Sequence, residues 1–227
     1  SAPYIKLTLA IMQQFGVRTD VFLGQSAGEY AALVAGGMLS LDDALWAIYQ
    51  RACIVSRMNP QQSGKMLGLS ADMSAVRAAL PGISAQLCFA AENAPGQGIV
   101  AGPTAAIEQL SAWALTQGFE ARPLPVAHAY HTRMLTMAVP LYRTQLQTLN
   151  WQRPSGTVLS SVHGDYYAHD AAPAWMARHL ALRYILPLEF MKHVQRLHLD
   201  GVRYFLEAGP KWSLTAFTQS ILKTQPF

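Results

Sequence analysis

Apolar positions in this chain recur with two periods, helical and extended, that take turns. Over residues 3–15 the spacing is helical, with Ile5, Leu9 and Met12 on one face and Gly16 as a stop. Residues 20–24 are a short apolar run suited to a buried strand. A helix-forming run from Glu29 to Val34 follows and ends at Gly36 and Gly37. Ser40 has the chemistry of an N-cap, with Asp43 three residues on. The spacing predicts a helix from there to about Met58, with Leu41, Leu45, Ile48, Ala52 and Val55 on its apolar face.

The texture changes after Pro60. Short apolar runs predict strands at 65–69, 86–91, 99–101 and 121–126, and helical spacing predicts helices at 73–80 and 104–117. That order, β-α-β-β-α-β, is the order of a ferredoxin-like unit. It is bounded by Pro60 and Pro125, and it fits an insert of residues 61–126 in a larger α/β domain built from 1–60 and 127–227. In the second part, 131–149 has helical spacing interrupted by Pro140, and 157–162 reads as a strand. Residues 172–180 and 186–197 read as helices, 204–207 as a strand ending at Gly209-Pro210, and 213–222 as the last helix. Strands alternating with helices on both sides of the insert argue for a parallel sheet covered on both faces.

One junction in this pattern carries chemistry. Val21-Phe22-Leu23 runs into Gly24-Gln25-Ser26-Ala27-Gly28, and a helix follows at once. A serine on a sharp strand-to-helix turn is a nucleophile elbow. Gly24 and Gly28 lack a Cβ, which lets the turn be tight and the helix pack close to the strand. Ser26 then stands at a helix N-terminus, and the Ala27 amide is free to face a developing oxyanion.

Composition narrows the class. The 227 residues are 51% hydrophobic and 13% charged, which suits a globular chain with a sizeable core. Polar and charged residues interrupt every apolar run short of a membrane span, and the N-terminal residues have no leader-like pattern. Two isolated cysteines, Cys53 and Cys88, make neither a disulfide scaffold nor a metal site, so the expected compartment is a reducing cytoplasm. A net charge of +4 suits an anionic ligand, but no dense basic run of the nucleic-acid kind is present.

A serine needs a base to become a nucleophile. Of seven histidines, His131 stands just after the predicted insert, where a side chain can lean over the elbow. His163 and His169 fall in a polar loop, and His193 and His198 fall on a helix where one solvated face accounts for them. The Asp residues between Ser26 and His131 are Asp42, Asp43 and Asp72, each at the start of a helix. The chain therefore favours a Ser–His dyad whose histidine is held by a backbone carbonyl. Arg51 lies mid-helix beside the apolar face, and its spacing alone reads as a snorkelling surface arginine.

The ordered set of motifs resembles the malonyl-type acyltransferase domains of fatty-acid and polyketide synthases. The set is the run from Gly24 to Leu33, then Gln50-Arg51-Ala52, Glu92-Asn93-Ala94-Pro95-Gly96-Gln97 and Ala101-Gly102. His128-Ala129-Tyr130-His131 with Met134 follows, then Arg178-His179-Leu180, Pro187 and Phe190, and last Leu206-Glu207-Ala208-Gly209-Pro210. The resemblance covers essentially the whole chain. It implies a hydrolase-like α/β domain with a ferredoxin-like insert and a site between them. It implies Ser26 as nucleophile, His131 as base, and Arg51 as the residue that binds a malonyl carboxylate, reversing the reading from spacing. It implies that the His179 backbone carbonyl orients His131, that Asn93 lines the cleft, and that His128 and Tyr130 belong to the substrate pocket, with the Tyr130 ring favouring malonyl over methylmalonyl.

The implied reaction is ping-pong transfer from coenzyme A to the phosphopantetheine thiol of an acyl carrier protein, without metal or redox cofactor. Other domains of a multidomain synthase are further implied partners; nucleic acid and membrane are not. Two departures stand out. Gln25 replaces the family's usual histidine before the serine, and the family's early Gly-Gln-Gly oxyanion segment has no counterpart because this chain starts later. Lys211-Trp212 also differs from the usual residues after Gly-Pro. Gln25 opens the alternative of a thioester hydrolase on the same scaffold, and a non-catalytic module that docks carrier protein is a third reading.

Overall fold

The computed structural model describes residues 10–12, 14–58, 64–209 and 211–223. The helix expected over 3–15 falls mostly outside them, although 10–12 and 14 are helical. Strand β1 (Val21–Leu23) pairs in parallel with β6 (Thr157–Leu159), Phe22 standing opposite Val158. Helix α1 (Gly28–Ala35) leaves the elbow, and α2 (Leu41–Ser56) starts on a cap in which Ser40 Oγ accepts the Asp43 N–H at 3.0 Å.

The inward face of α2 differs from the expected one. Ala44, Ala47 and Val55 are buried, while Leu45 is exposed together with Trp46 and Tyr49. The helix is rotated by about one residue from the apolar stripe, because small alanines let it approach its neighbours closely. That rotation turns Arg51, one helical turn from both Ala47 and Val55, toward the interior.

The second sheet has four strands in the order β3-β4-β2-β5, all neighbours antiparallel, from β2 (Lys65–Ser70), β3 (Cys88–Ala94), β4 (Gln97–Gly102) and β5 (Glu120–Pro123). Helices α3 (Met73–Ile83) and α4 (Thr104–Thr116) supply the crossovers, which gives the ferredoxin-like order. Leu67, Leu69, Val76, Leu80, Val100, Ile107 and Leu110 form its core. A separate core joins α1, α2, α5 (Ala138–Leu146) and α6 (Pro173–Leu182) around Tyr30, Leu33, Met38, Tyr142, Leu146, Met176 and Leu180. At its centre Tyr30 OH lies 2.6 Å from Tyr142 OH, which donates to the Ala47 carbonyl at 3.1 Å.

Three expectations are corrected. Residues 204–207 form no strand: no described strand pairs with them, Tyr204 is 97% exposed, and Glu207 instead caps α8 (Ser213–Leu222) by accepting the Thr215 N–H. The helix expected from residue 186 begins only as α7 (Phe190–Leu199), because Leu188 is used otherwise. Its N–H donates to Ala90 O and its carbonyl accepts from Glu92 N, which stitches the edge strand β3 to the loop after α6. His193 and His198 are buried rather than solvated, since Phe190, His193, Val194 and Leu197 share the inward face of α7.

Candidate active site

The elbow is tight for an identifiable reason. A Cβ on Gly24 would fall 2.1 Å from the Gly28 carbonyl oxygen, so only glycine lets the strand and helix meet there. A Cβ on Gly28 would meet nothing within 4 Å, so the steric demand expected of both glycines belongs to Gly24 alone. Ser26 sits at φ 52°, in the left-handed region, where a non-glycine residue costs about 1–3 kcal/mol and marks a functional turn. The Ala27 N–H lies at the N-terminal cap of α1.

His131 also has positive φ, 63°, in the turn before a short 3₁₀ segment at Arg133–Leu135. Its backbone N–H donates to Tyr184 O at 2.7 Å, and its ring Nδ1 lies 3.1 Å from the Leu186 carbonyl oxygen. A carbonyl only accepts, so Nδ1 carries the proton and Nε2 keeps its lone pair. Nε2 is 3.3 Å from Ser26 Oγ, which donates to it. The structure thus brings Ser26 and His131 together in the tautomer that a general base requires. Burial, followed by the charges of Arg183 and Arg51, pushes the His131 imidazole down to about 3.

The carbonyl at His131 is that of Leu186, not His179 as the resemblance implied. His179 lies inside α6, with its ring stacked 3.7 Å from Trp175 and its Nδ1 2.8 Å from Trp175 O. The helix carries it away from the cleft, and the irregular residues after α6 reach the histidine instead. His163, expected in a polar loop, packs against the same Trp175 and His179 rings.

The remaining expected residues reach this pair through their neighbours, Tyr130 lying 6.5 Å ring to ring from His131. The Arg51 guanidinium stands 4.6 Å from the Tyr130 ring centroid and 5.6 Å from that of Tyr184, and the two rings are nearly parallel. No carboxylate among the described residues forms an ion pair with it. His128 meets the Tyr130 ring edge-on at 5.8 Å, and burial lowers its imidazole. Gln25 Nε2 donates to Asn93 Oδ1 at 3.1 Å, tying the elbow to β3, while Gln25 Oε1 is buried without a partner among the described residues. Among the described residues no cluster of His, Cys, Asp or Glu is placed to hold a metal, and no helix is long and apolar enough to cross a membrane.

Sequence reasoning missed Arg183 and Glu29. Both are buried beneath the elbow, where they pair at 3.6 Å. The available signal was a lone arginine in the apolar run from Leu180 to Leu186, which has to find a buried partner.

A serine on a strained elbow, a histidine held by a carbonyl and a ferredoxin-like sheet beside them define the class as α/β acyltransferases with a hydrolase-like sheet. The chain belongs to the acyl transferase domain family, which it matches over residues 6–226. It is 28% identical over 218 residues to the spectinabilin polyketide synthase system protein NorB of Streptomyces orinoci, covering 95% of this chain and 10% of that protein. It is 26% identical to the malonyl CoA-acyl carrier protein transacylase of Bacillus subtilis, over 94% of this chain and 69% of that one. The crystal structure of the acyltransferase domain from the second module of the salinomycin polyketide synthase superposes with a TM-score of 0.81 at 28% identity, over 98% of this chain and 51% of that one. The chain therefore spans about a tenth of the Streptomyces orinoci protein and about two thirds of the Bacillus subtilis transacylase.

Proposed function

We propose that this chain moves a malonyl-type acyl group from a coenzyme A thioester, through an acyl-serine, to the phosphopantetheine thiol of an acyl carrier protein. The observation that carries the reading is Ser26 Oγ at 3.3 Å from the unprotonated nitrogen of His131, with Arg51, which has no carboxylate partner among the described residues, against the neighbouring Tyr130 ring. The names of the relatives, a transacylase and polyketide synthase components, point to the same reaction.

His131 Nε2 takes the Ser26 Oγ proton as Oγ attacks the thioester carbonyl, and the Ala27 N–H faces the oxyanion. The C–S bond breaks and the thiolate leaves with the proton from Nε2. The carrier thiol then gives its proton to His131 and attacks the acyl-serine, and Ser26 Oγ recovers that proton as it departs. Arg51 binds the free carboxylate. Tyr130 and His128 flank it, and Gln25, fixed by Asn93, presents Oε1 to a donor on the substrate.

In this reading residues 1–60 and 127–227 form the main domain and 61–126 the small one. The protein works in the cytoplasm, as a free-standing enzyme or beside other synthase domains, and needs no tightly bound cofactor.

Mixing the protein with equimolar malonyl-CoA and methylmalonyl-CoA and weighing the intact protein tests the reading. A malonyl adduct in excess is expected, because a methyl on the α-carbon would crowd the Tyr130 ring. No adduct, or rapid release of free acid without a carrier, would count against transfer.

The pH dependence follows from His131. Its imidazole is neutral, and so able to accept a proton, above about 3. The rate of Ser26 acylation should therefore hold steady as pH falls through 6.5, with no acid limb there. Stopped-flow acylation across pH 5–8 checks this, and a limb centred near 6.5 would show that the histidine is solvated.

A further inference from the structure

Arg183 heads the fully buried side chains, at 1% exposure, and stands at the C-terminal cap of α6 directly under the elbow. Its Nη2 donates to the backbone carbonyl of Ser26. Its Nη1 donates to Ser161 Oγ at 3.2 Å and lies 3.6 Å from Glu29 Oε2. Glu29 is also fully buried, and four donors converge on its carboxylate. Ser160 Oγ and Tyr167 OH reach Oε1 at 3.1 and 2.9 Å, and the Ser161 N–H and Oγ reach Oε2 at 3.0 and 2.8 Å. The Ser26 carbonyl accepts the Glu29 N–H as well, at 3.1 Å, so two groups hold it.

The residues that follow Arg183 hold the other half of the site. Tyr184 O takes the His131 N–H, Leu186 O takes the His131 ring N–H, and Tyr184 OH donates to the Arg51 carbonyl at 2.7 Å. One stretch of four residues thus touches Ser26, His131 and Arg51.

We propose that Arg183 is the positioning residue of this site: anchored on Glu29, its guanidinium holds the Ser26 carbonyl and sets the serine at hydrogen-bonding distance from the histidine that the same stretch carries. The inference rests on the reading of Ser26 and His131 as the acyl-transfer dyad. A buried ion pair is a poor stabiliser compared with apolar packing, so geometry is the better account of its presence here. The planar fork of arginine spans two acceptors, the Ser26 carbonyl and the Glu29–Ser161 group, which a lysine cannot do. Its charge also acts on His131, together with that of Arg51, in the direction that keeps the ring neutral.

Arg183→Gln alone strands a buried carboxylate, so the test uses the double variant Glu29→Gln/Arg183→Gln, and Arg183→Lys. A fluorophosphonate probe, which reads serine reactivity without regard to the acyl group, is reacted with each protein across pH. Rates are scaled to folded protein, and His131 is titrated by NMR. The double variant should fold and label about 100-fold more slowly, the effect of roughly an ångström of misplacement. Its acid limb and the His131 titration should both move to higher pH, because of the two charges removed it is Arg183 that acts on the His131 ring. Arg183→Lys should return the titration toward wild type but not the rate. Labelling at the wild-type rate in the double variant, or a loss that only tracks unfolded protein, overturns the proposal. If the wild type takes the probe but no acyl group from malonyl-CoA, the transferase reading falls, while the comparison among variants still decides the role of Arg183.

Discussion

Ser26→Ala is expected to abolish the acyl adduct and to lower transfer on the order of 10⁴- to 10⁶-fold, the scale of losing a nucleophile that acts as a unit with its base. The fold should survive. Alanine meets the same left-handed backbone, φ 52°, that serine already tolerates, and the hydroxyl's one described partner is His131 Nε2. Thermal denaturation should therefore match wild type within about 1 kcal/mol. Intact-mass measurement after malonyl-CoA, with peptide mapping of any residual adduct, separates the cases. An adduct that persists on another residue removes Ser26 from the role assigned to it, and an adduct of unchanged yield removes the mechanism.

Local rules made the elbow readable. An apolar triplet, Gly24 and a helix-forming run forced a serine onto a strand-to-helix turn, and no tertiary information was needed. The ferredoxin-like sheet was equally legible, since its strands and helices are short, punctuated and close in sequence. That His131 would meet Ser26 was legible from its place at the end of that unit. Long-range geometry was harder. The α2 face was misjudged by about one residue, because Ala44 and Ala47 carry little hydrophobic weight in the pattern yet mark the close contact, and so Arg51 read as a surface residue. The resemblance points to the His179 carbonyl through the motif Arg178-His179-Leu180, whereas Leu186 O is the partner. Helix α6 runs on to Leu182, and only the chain beyond it can reach the cleft. The residue run 204–207 has strand composition but no described strand paired with it, and a strand needs a partner for its ladder. Arg183 and Glu29 are not legible as a pair because they stand 154 positions apart and only the fold brings them to 3.6 Å beneath the elbow.

Arg51→Ala should cost malonyl transfer on the order of 10- to 1000-fold and should raise the relative activity toward acetyl and longer acyl thioesters. The guanidinium rests against the Tyr130 and Tyr184 rings, at 4.6 and 5.6 Å, with no carboxylate of the described chain to neutralise it. A substrate carboxylate can take two parallel charge-assisted hydrogen bonds from such a group. Hydrogen bonds to charged groups contribute about 1.5–3 kcal/mol each, which spans the expected loss. A neutral acyl chain leaves the cation unpaired in a partly dry cleft, so the wild-type pocket selects dicarboxylic acyl groups by penalty as well as by attraction. Removing the side chain relieves that penalty and lets water into the space, so hydrolysis of the acyl-serine should rise as malonyl transfer falls. Steady-state comparison of malonyl-CoA and acetyl-CoA, with free acid and carrier-bound product measured side by side, reads all three effects. If wild-type protein cleaves simple acyl thioesters faster than malonyl, and Arg51→Ala leaves malonyl turnover unchanged, then Arg51 is a structural cation on two aromatic rings. A thioester hydrolase with Gln25 beside its nucleophile then becomes the better account of the site.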